Sequence, residues 1–371
     1  MSEKKNKNQN TKNIFKIFFR DIKRFFQELF TGAAIKDFRY EMKNIKDFYI
    51  NREQRNRLES MGRIRRGIYL IVWVLKSLFL KLSSFRRMLF VIGLVLLWVD
   101  INNNDTSMNG IVLFSIILLF ILMLELKDKL LARKELEAGR SVQFALMPEQ
   151  SPKVPGWDIW LFSRPANEVG GDLVDFLEIS KNRYGLALAD VAGKGLSAAL
   201  FMAKLQATLR ALIHDMRSLE KLGSKINKIS HRDALPNKFA TLLYFEICPD
   251  IGDLQFLNAG HFPPILLQGN KIIEMPKGNP ALGIIADTIY TEQKISLKKG
   301  DLLVAYSDGI TEARDENGNF FGEKQLLDLI KSSTNLSALQ VGEQLINEVD
   351  QFVGNADPND DISIIVLKRS N

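Results

Sequence analysis

The sequence predicts a layered α+β sandwich carried behind an α-helical membrane region. From residue 155 onward, short apolar runs with strand texture succeed one another: 157–162, 184–189, 239–247, 252–257, 264–267, 271–275, 302–306 and 362–367. Between and after them fall two groups of helix-patterned stretches, 196–214 with 217–230 and 323–331 with 338–352. Helices inserted between early strands and grouped again near the end are the pattern of helices layered against sheets. The membrane region rests on two uncharged apolar stretches upstream, 88–99 and 110–124. Of 371 residues, 46% are hydrophobic and 25% charged, which is enough apolar material for a core, and the length favours two or three structural units.

Residues 1–66 read as a basic, amphipathic cytoplasmic arm. They hold 18 Lys and Arg against 8 Asp and Glu, while the whole chain carries +7, so everything after residue 66 is mildly acidic. A nucleic-acid-binding protein needs its basic surface on a folded domain, so no nucleic-acid partner is expected. Phe15, Phe18, Phe19, Phe25, Phe26 and Phe30 recur every three to four residues among Lys12, Lys16, Arg20, Lys23 and Arg24. That is the composition of a helix lying on membrane lipids. A second set, Ile35, Phe38, Met42, Ile45 and Tyr49, repeats the spacing.

Residues 67–125 form the expected membrane region. Residues 67–82 are apolar but include Lys76, and Arg63, Arg65, Arg66, Lys76, Ser77 and Lys81 fall within about half the helix circumference. Leu70, Trp73 and Leu80 break that arc. The segment reads as an interfacial helix, because a third span would put the basic arm outside the cell. Spans are expected at about 86–101 and 110–125, joined by a polar loop, 102–109, that lacks Lys and Arg. Arg86 and Arg87 precede the pair, and Lys127, Lys129, Arg133 and Lys134 follow it. By the positive-inside rule both ends face the cytoplasm, as would a C-terminal domain over 148–371. Residues 126–147 join the two as a charged linker or signalling helix, interrupted only by Gly139 before Pro148. Leu131, Ala138 and Ala145 are seven apart, with Val142 beside them, a weak pairing row that points to a homodimer.

The single cysteine, Cys248, rules out an internal disulfide. It is no tyrosine-phosphatase nucleophile either, since the phosphate-holding Arg six residues on is absent and position 254 is Leu. It reads as a small buried residue on a strand. His214, His231 and His261 form no metal-ligand pair at helical spacing, and His261 reads as structural.

The informative residues are aspartates at strand ends. Asp172 follows Val169-Gly170-Gly171, and Asp190 ends an apolar run before Val191-Ala192-Gly193-Lys194-Gly195. Asp308 sits in Tyr306-Ser307-Asp308-Gly309-Ile310, and Asp360 and Asp361 lead into Ile362-Ser363. Any one of these is an ordinary turn. Four clustered carboxylates would repel one another without metal, and oxygen donors suit Mg²⁺ or Mn²⁺. Two such ions can activate a water for in-line displacement at phosphorus, chemistry that needs no protein nucleophile.

In the order of its motifs the stretch 131–368 resembles the SpoIIE/RsbU-type bacterial branch of the protein phosphatase 2C-like (PPM) serine/threonine phosphatases. The likeness runs through Arg140-Ser141-Val142-Gln143-Phe144-Ala145-Leu146-Met147-Pro148, the Gly-Gly-Asp, Asp190-Val191-Ala192-Gly193-Lys194-Gly195 and Ala199-Leu200. It continues through Lys238-Phe239-Ala240-Thr241-Leu242, Asn258-Ala259-Gly260-His261, Leu282-Gly283, Ser307-Asp308-Gly309-Ile310-Thr311-Glu312-Ala313, Phe321-Gly322 and Asp360-Asp361-Ile362-Ser363. The strand after the glycine pair departs from it, reading Leu173-Val174-Asp175-Phe176 where relatives carry aromatics.

The resemblance implies a central antiparallel β-sandwich flanked by helices. It also implies a two-ion Mn²⁺ or Mg²⁺ site, and Ser/Thr-phosphorylated regulatory proteins, commonly STAS-type anti-sigma-factor antagonists, as substrates. Carried across, Asp190 would bridge two ions, with the Val191 carbonyl as a further ligand. Asp308 with Asp360, or Asp361 in its place, would hold one ion, and Asp172 the other or its water. Asp175 would stand behind the ligands at most, its plain reading being a surface strand residue. Lys194 would meet the substrate phosphate or remain a solvated loop lysine. The expected protein is a phosphatase at the bacterial cytoplasmic membrane; an inactive phosphoprotein-binding or scaffold protein of the same fold is the alternative.

Overall fold

The computed structural model divides the chain into two compact units, residues 1–129 and 130–371. It describes residues 50–370 apart from 51, 103–108, 234–237 and 250–252. The aromatic patterns of the basic arm and most of the polar loop lie outside the described residues.

The first unit is helical: α1 (Arg52–Glu59), α2 (Arg63–Lys81), α3 (Ser84–Asn102) and the start of α4 (Asn109–Leu146). α3 and α4 run antiparallel, because Arg86 pairs with Glu125 at 2.7 Å and with Asp128, whereas Gly93 lies under Phe114. The absence of a Cβ matters at Gly93: an added one would fall 2.8 Å from the Phe114 ring. Phe90 bridges the helices, 6.2 Å from Phe114 and 6.0 Å from Phe79 of α2. The outer faces are apolar and exposed, with Val95, Trp98 and Ile101 on α3 and Ile116, Leu119 and Leu122 on α4. Among the described helices of this unit, α4 alone is both long and apolar enough to cross a membrane. α3 has the length, about 28 Å at 1.5 Å per residue, but carries Arg86, Arg87 and Asp100.

The expected linker helix is not a separate element. It is the second half of α4, which runs unbroken for 38 residues past Gly139. Gly139 has room for a Cβ, with only a Val169 methyl as near as 3.9 Å.

In the second unit, alternating strands build two antiparallel sheets. One has the order β1 (Trp157–Arg164), β10 (Ile362–Arg369), β9 (Leu302–Tyr306), β6 (Ile265–Gln268), β7 (Lys271–Glu274). The other runs β2 (Leu173–Ser180), β3 (Arg183–Val191), β4 (Ala240–Ile247), β5 (Asp253–Ala259), β8 (Glu292–Ser296). Alternation of side chains gives each sheet an inner and an outer apolar face. Leu161, Leu188, Phe245, Phe256, Leu303 and Ile365 meet between the sheets. On the outer face of the β3 sheet lie α5 (Leu196–Ile213) and α6 (Leu219–Arg232), sealing Leu205, Leu209, Leu222 and Ile226 against Leu242 and Leu257. α5 is itself apolar enough to resemble a span, but its buried face belongs to this core. On the outer face of the other sheet lie α8 (Gly322–Ser332) and α9 (Ala338–Val353), covering Val304, Ile364 and Val366. A reciprocal capping box between Ser337 and Gln340 starts α9, and Gly342 admits the Trp160 ring against that helix. The result is the expected helix–sheet–sheet–helix sandwich.

Two expectations need correction. Asp175 is fully buried, not a surface residue: both its oxygens take the Arg210 guanidinium, at 2.7 and 2.9 Å. Its carboxylate is committed to tying β2 to α5, and burial on that scale is tolerated only because the charge is paired and hydrogen-bonded. Cys248 is half-buried and lies one residue beyond β4 rather than within it.

Candidate active site

The strand registers bring the aspartates to one end of the sandwich. Leu173 pairs with Ala189, so Asp172, just before β2, faces Asp190 near the end of β3. Tyr306 pairs with Ile364, so the chain leaving β9 meets the chain entering β10. There Ser307 N–H donates to the Ser363 carbonyl at 2.9 Å, and Ser363 N–H returns a bond to the Ser307 hydroxyl at 2.9 Å. Asp308 opens a single helical turn, α7 (Asp308–Thr311), directly after this junction. Gly309 is required by close approach: a Cβ there would overlap the Asp361 carbonyl.

Asp172 is 4% exposed, and one of its carboxylate oxygens is buried with no hydrogen-bond partner. Burial, then the charges of Asp190 and Asp361, push its carboxyl well above the ordinary carboxylate range, against the Ser363 and Ser307 hydroxyls. Asp190 is raised by burial and by the charges of Asp360 and Asp361, against the opposing effects of Asp172 and Lys194. Asp308 is pushed up to about 6 by burial, Asp190 and Asp360. Carboxylates from four strand ends therefore act on one another.

Asp360 and Asp361 do different work. Asp361 is buried and accepts the backbone N–H groups of Ala166 and Gly171, at 2.7 and 2.6 Å. Gly170 needs its missing side chain here, since a Cβ would sit 2.6 Å from an Asp361 oxygen. Asp360 is half-buried and ion-pairs with Lys194 at 2.8 Å. Lys194 is exposed to solvent and also reaches the Asn359 carbonyl, so its ammonium lies against the cluster. The Val191 carbonyl lies beside Gly171, 3.2 Å from where a Cβ on that residue would stand.

Several residues without an assigned role in the sequence reading support this end of the fold. The Gln143 carboxamide of α4 donates to the Gly170 carbonyl at 2.9 Å and accepts the Gly170 N–H at 3.1 Å. Lys238 donates to the Ala192 carbonyl at 2.9 Å. Thr241, opposite Asp190 across β3 and β4, takes the Asp190 N–H at 3.2 Å. Gln143, Lys238 and Thr241 all lie inside the motifs quoted above, but spacing alone gave no hint of what they touch.

Among the described residues, no three His, Cys, Asp or Glu side chains converge tightly enough to enclose an ion alone. A hard cation such as Mg²⁺ does not need that, because it keeps several waters and binds through one or two carboxylates at a time. The fit rests instead on the partnerless Asp172 oxygen and on carboxylates that raise one another, with the Lys194 ammonium against Asp360. The donor set suits hard divalent ions.

The comparisons agree with this architecture. The family model described as Stage II sporulation protein E (SpoIIE) matches residues 180–370, just over half of the chain. Phosphoserine phosphatase RsbU of Bacillus subtilis is 30% identical over 243 residues, covering 64% of this chain and 70% of its own. Protein IcfG of Synechocystis is 28% identical over 277 residues, 66% of this chain, which spans 43% of the length of IcfG. Among solved structures, the SiaA-PP2C domain of Pseudomonas aeruginosa superposes with a TM-score of 0.57 at 18% identity, covering 65% of this chain and 98% of that domain. That likeness shows a fold of the protein phosphatase 2C type. With a matching family model over half its length and the carboxylate-ended sandwich that goes with it, the chain belongs to the SpoIIE family.

Proposed function

We propose that this chain is a membrane-anchored, metal-dependent protein serine/threonine phosphatase that acts on a phosphorylated regulatory protein of the STAS antagonist type. The observation that carries the reading is the meeting of Asp172, Asp190, Asp308 and Asp360 at one end of the sandwich, with a buried oxygen of Asp172 left without a partner. The name of RsbU, a phosphoserine phosphatase, supports the substrate class. Asp190, Asp308 and Asp360 would hold one ion; Asp190, Asp172 and the Val191 carbonyl would hold a second. Two Mn²⁺ or Mg²⁺ ions supply charge neutralisation at phosphorus and lower the pKa of the attacking water. Asp361 serves the site from behind, fixing the Gly171 and Ala166 backbone, which favours Asp360 as the ligand of the pair. Lys194, on a flexible stem beside Asp360, is suited to turn its charge to the substrate phosphate once a divalent ion has taken over that carboxylate.

The domain assignment extends this reading. Residues 1–66 are the basic cytoplasmic arm, 67–125 the membrane region, 126–147 a signalling helix and 148–371 the phosphatase. The exposed apolar faces of α3 and α4 support lipid contact at the bacterial cytoplasmic membrane. Exposed Leu131, Ala138, Val142 and Ala145 on α4 support a homodimer paired along that helix. The Gln143–Gly170 contact supports a signalling role, because it joins that helix to the turn bearing Asp172.

The test is hydrolysis of an aryl phosphate and of a phosphoserine antagonist protein by the full chain in detergent. Activity should require Mn²⁺ or Mg²⁺, vanish with EDTA and return on adding metal. Asp190→Ala and Asp308→Ala should each abolish it without unfolding the protein, and full activity in either folded variant would sink the assignment.

A further inference from the structure

The family reading leaves His261 without a role, yet its surroundings are unusual. It follows β5 in a turn locked by Asn258, whose side chain accepts the His261 N–H at 2.9 Å and donates to the His261 carbonyl at 3.1 Å. Asn258 is fully buried, so the turn has no freedom to reorient. The imidazole is 6% exposed. Nδ1 lies 2.8 Å from the Thr241 hydroxyl. That hydroxyl accepts the Asp190 N–H and lies 3.3 Å from the Asp190 carbonyl. The other nitrogen, Nε2, is buried with no hydrogen-bond partner. Tyr306 ends β9 two residues before Asp308, and Phe262 stacks on its ring at 5.8 Å.

Proton bookkeeping selects one tautomer. The Thr241 hydroxyl has a single proton to give. Given to the Asp190 carbonyl, along the longer 3.3 Å contact, it would require the ring to carry its hydrogen on Nδ1. Given to Nδ1, along the shorter 2.8 Å contact, it leaves the ring hydrogen on Nε2. Burial holds the ring down at a pKa of about 4, so it is neutral under ordinary conditions.

We infer that His261 and Thr241 are positioning residues for the metal site: through them, and through the stack of neighbouring Phe262 on Tyr306, the backbone of Asp190 in one sheet is referenced to the strand that delivers Asp308 in the other. Neither touches the ions. They set how far apart two carboxylates stand when the site is empty, so an ion finds them already placed. The inference rests on the reading of Asp190 and Asp308 as ligands. Outer partners of metal ligands typically contribute 10–100-fold in metal affinity.

The experiment is a Mn²⁺ titration of the full chain in detergent, read by the electron paramagnetic resonance of free Mn²⁺, with thermal unfolding in EDTA alongside. Thr241→Val keeps the side-chain shape and removes the hydroxyl. It should weaken Mn²⁺ binding about tenfold, the lower end of that range, while the metal-free protein unfolds within a few degrees of the wild type. Thr241→Ser should restore binding to within about twofold, which a loss of packing alone would not do. His261→Asn keeps an acceptor near the Nδ1 position but nothing at Nε2, and it should also weaken binding; it carries the test should Thr241→Val not fold. Wild-type Mn²⁺ affinity in a folded Thr241→Val or His261→Asn variant overturns the inference. Asp190→Asn separates the two levels. If it binds Mn²⁺ normally, the ligand reading itself has failed; if it loses Mn²⁺ while Thr241→Val does not, only the positioning role has failed.

Discussion

Replacing Gln143 by alanine tests how firmly the last turns of α4 hold the turn that bears Asp172. The Gln143 side chain is 6% exposed, and both its hydrogen bonds go to the backbone of buried Gly170. Truncation leaves one N–H and one carbonyl unpaired in a site that alanine does not fill. Each buried group left unsatisfied costs about 1–3 kcal/mol. Water entering the space recovers part of that, so the two together should cost about 2–4 kcal/mol. The rest of the helix end is held independently, with Gln206 and Arg210 both donating to the Leu146 carbonyl, at 3.0 and 3.3 Å. The loss should therefore be concentrated at Gly170–Asp172 rather than release the whole helix. Amide hydrogen exchange on the full chain reads this directly: segment 166–175 should lose protection while β4 and β10 keep theirs. Gln143→Glu is the sharper variant. It still accepts the Gly170 N–H, but it sets a carboxylate against the Gly170 carbonyl where the amide donated, and it should cost at least as much as alanine. Unchanged exchange at 166–175 in both variants would refute the latch.

The metal-free protein should respond to pH through its acidic cluster. Asp308 has a folded pKa of about 6, above its unfolded value, so the stability it contributes is fully present below about pH 4 and is lost as pH rises through about 6. Thermal unfolding in EDTA should show this fall between about pH 4 and 6, Asp308→Asn should flatten it, and a wild type no more pH-sensitive than that variant would refute it. Gly342→Ala should destabilise the second unit by ~1–3 kcal/mol in chemical denaturation, because the new methyl overlaps the Trp160 ring; an unchanged midpoint would mean that α9 shifts freely. In a Cys248→Ser background, a membrane-impermeant thiol reagent should label a cysteine at Ser107 in intact cells but not one at Ser2 or Ser370. Labelling at Ser370 would require an odd number of spans and refute the cytoplasmic placement.

The fold was legible where side-chain pattern and burial agree. Eight of the ten strands coincide with apolar runs, since strands covered on both faces carry few polar residues. β8 was missed because Glu292-Gln293-Lys294-Ile295-Ser296 is an edge strand with one buried side chain, Ile295. Polar edges of that kind protect a sheet from pairing with other chains, and they hide it from a hydrophobic scan. The aspartates were legible because a carboxylate recurs at four strand ends, at two of them beside a glycine. What separates Asp360 from Asp361 was not, because both lie in the same turn and only the fold shows which one faces the Gly171 and Ala166 N–H groups. Asp175 misled for a related reason. Its partner Arg210 is 35 residues away, on a helix whose buried face is mostly apolar. Gln143 and Thr241 bond to backbone groups, and a backbone partner leaves no trace in the residue types around it.

The turn Gly170–Asp172 is where these constraints meet. Gln143 holds its first residue from α4, the Asp361 carboxylate holds the next from the entrance to β10, and pairing of β2 with β3 fixes the direction in which it leaves. Gly170 has no space for a side chain against Asp361, so the segment cannot slide without breaking one of these bonds. Asp172 is then presented with one oxygen unpartnered, a cost the fold bears because the carboxylate is held from behind. An ion bound there would stabilise the same arrangement that docks the helix. Linkage makes such coupling reciprocal: whatever free energy ion binding gains from a docked Gln143, helix docking gains from the ion. A signal reaching α4 would therefore need no path through the core to reach the carboxylate cluster, because the first residue it would disturb lies two positions from Asp172.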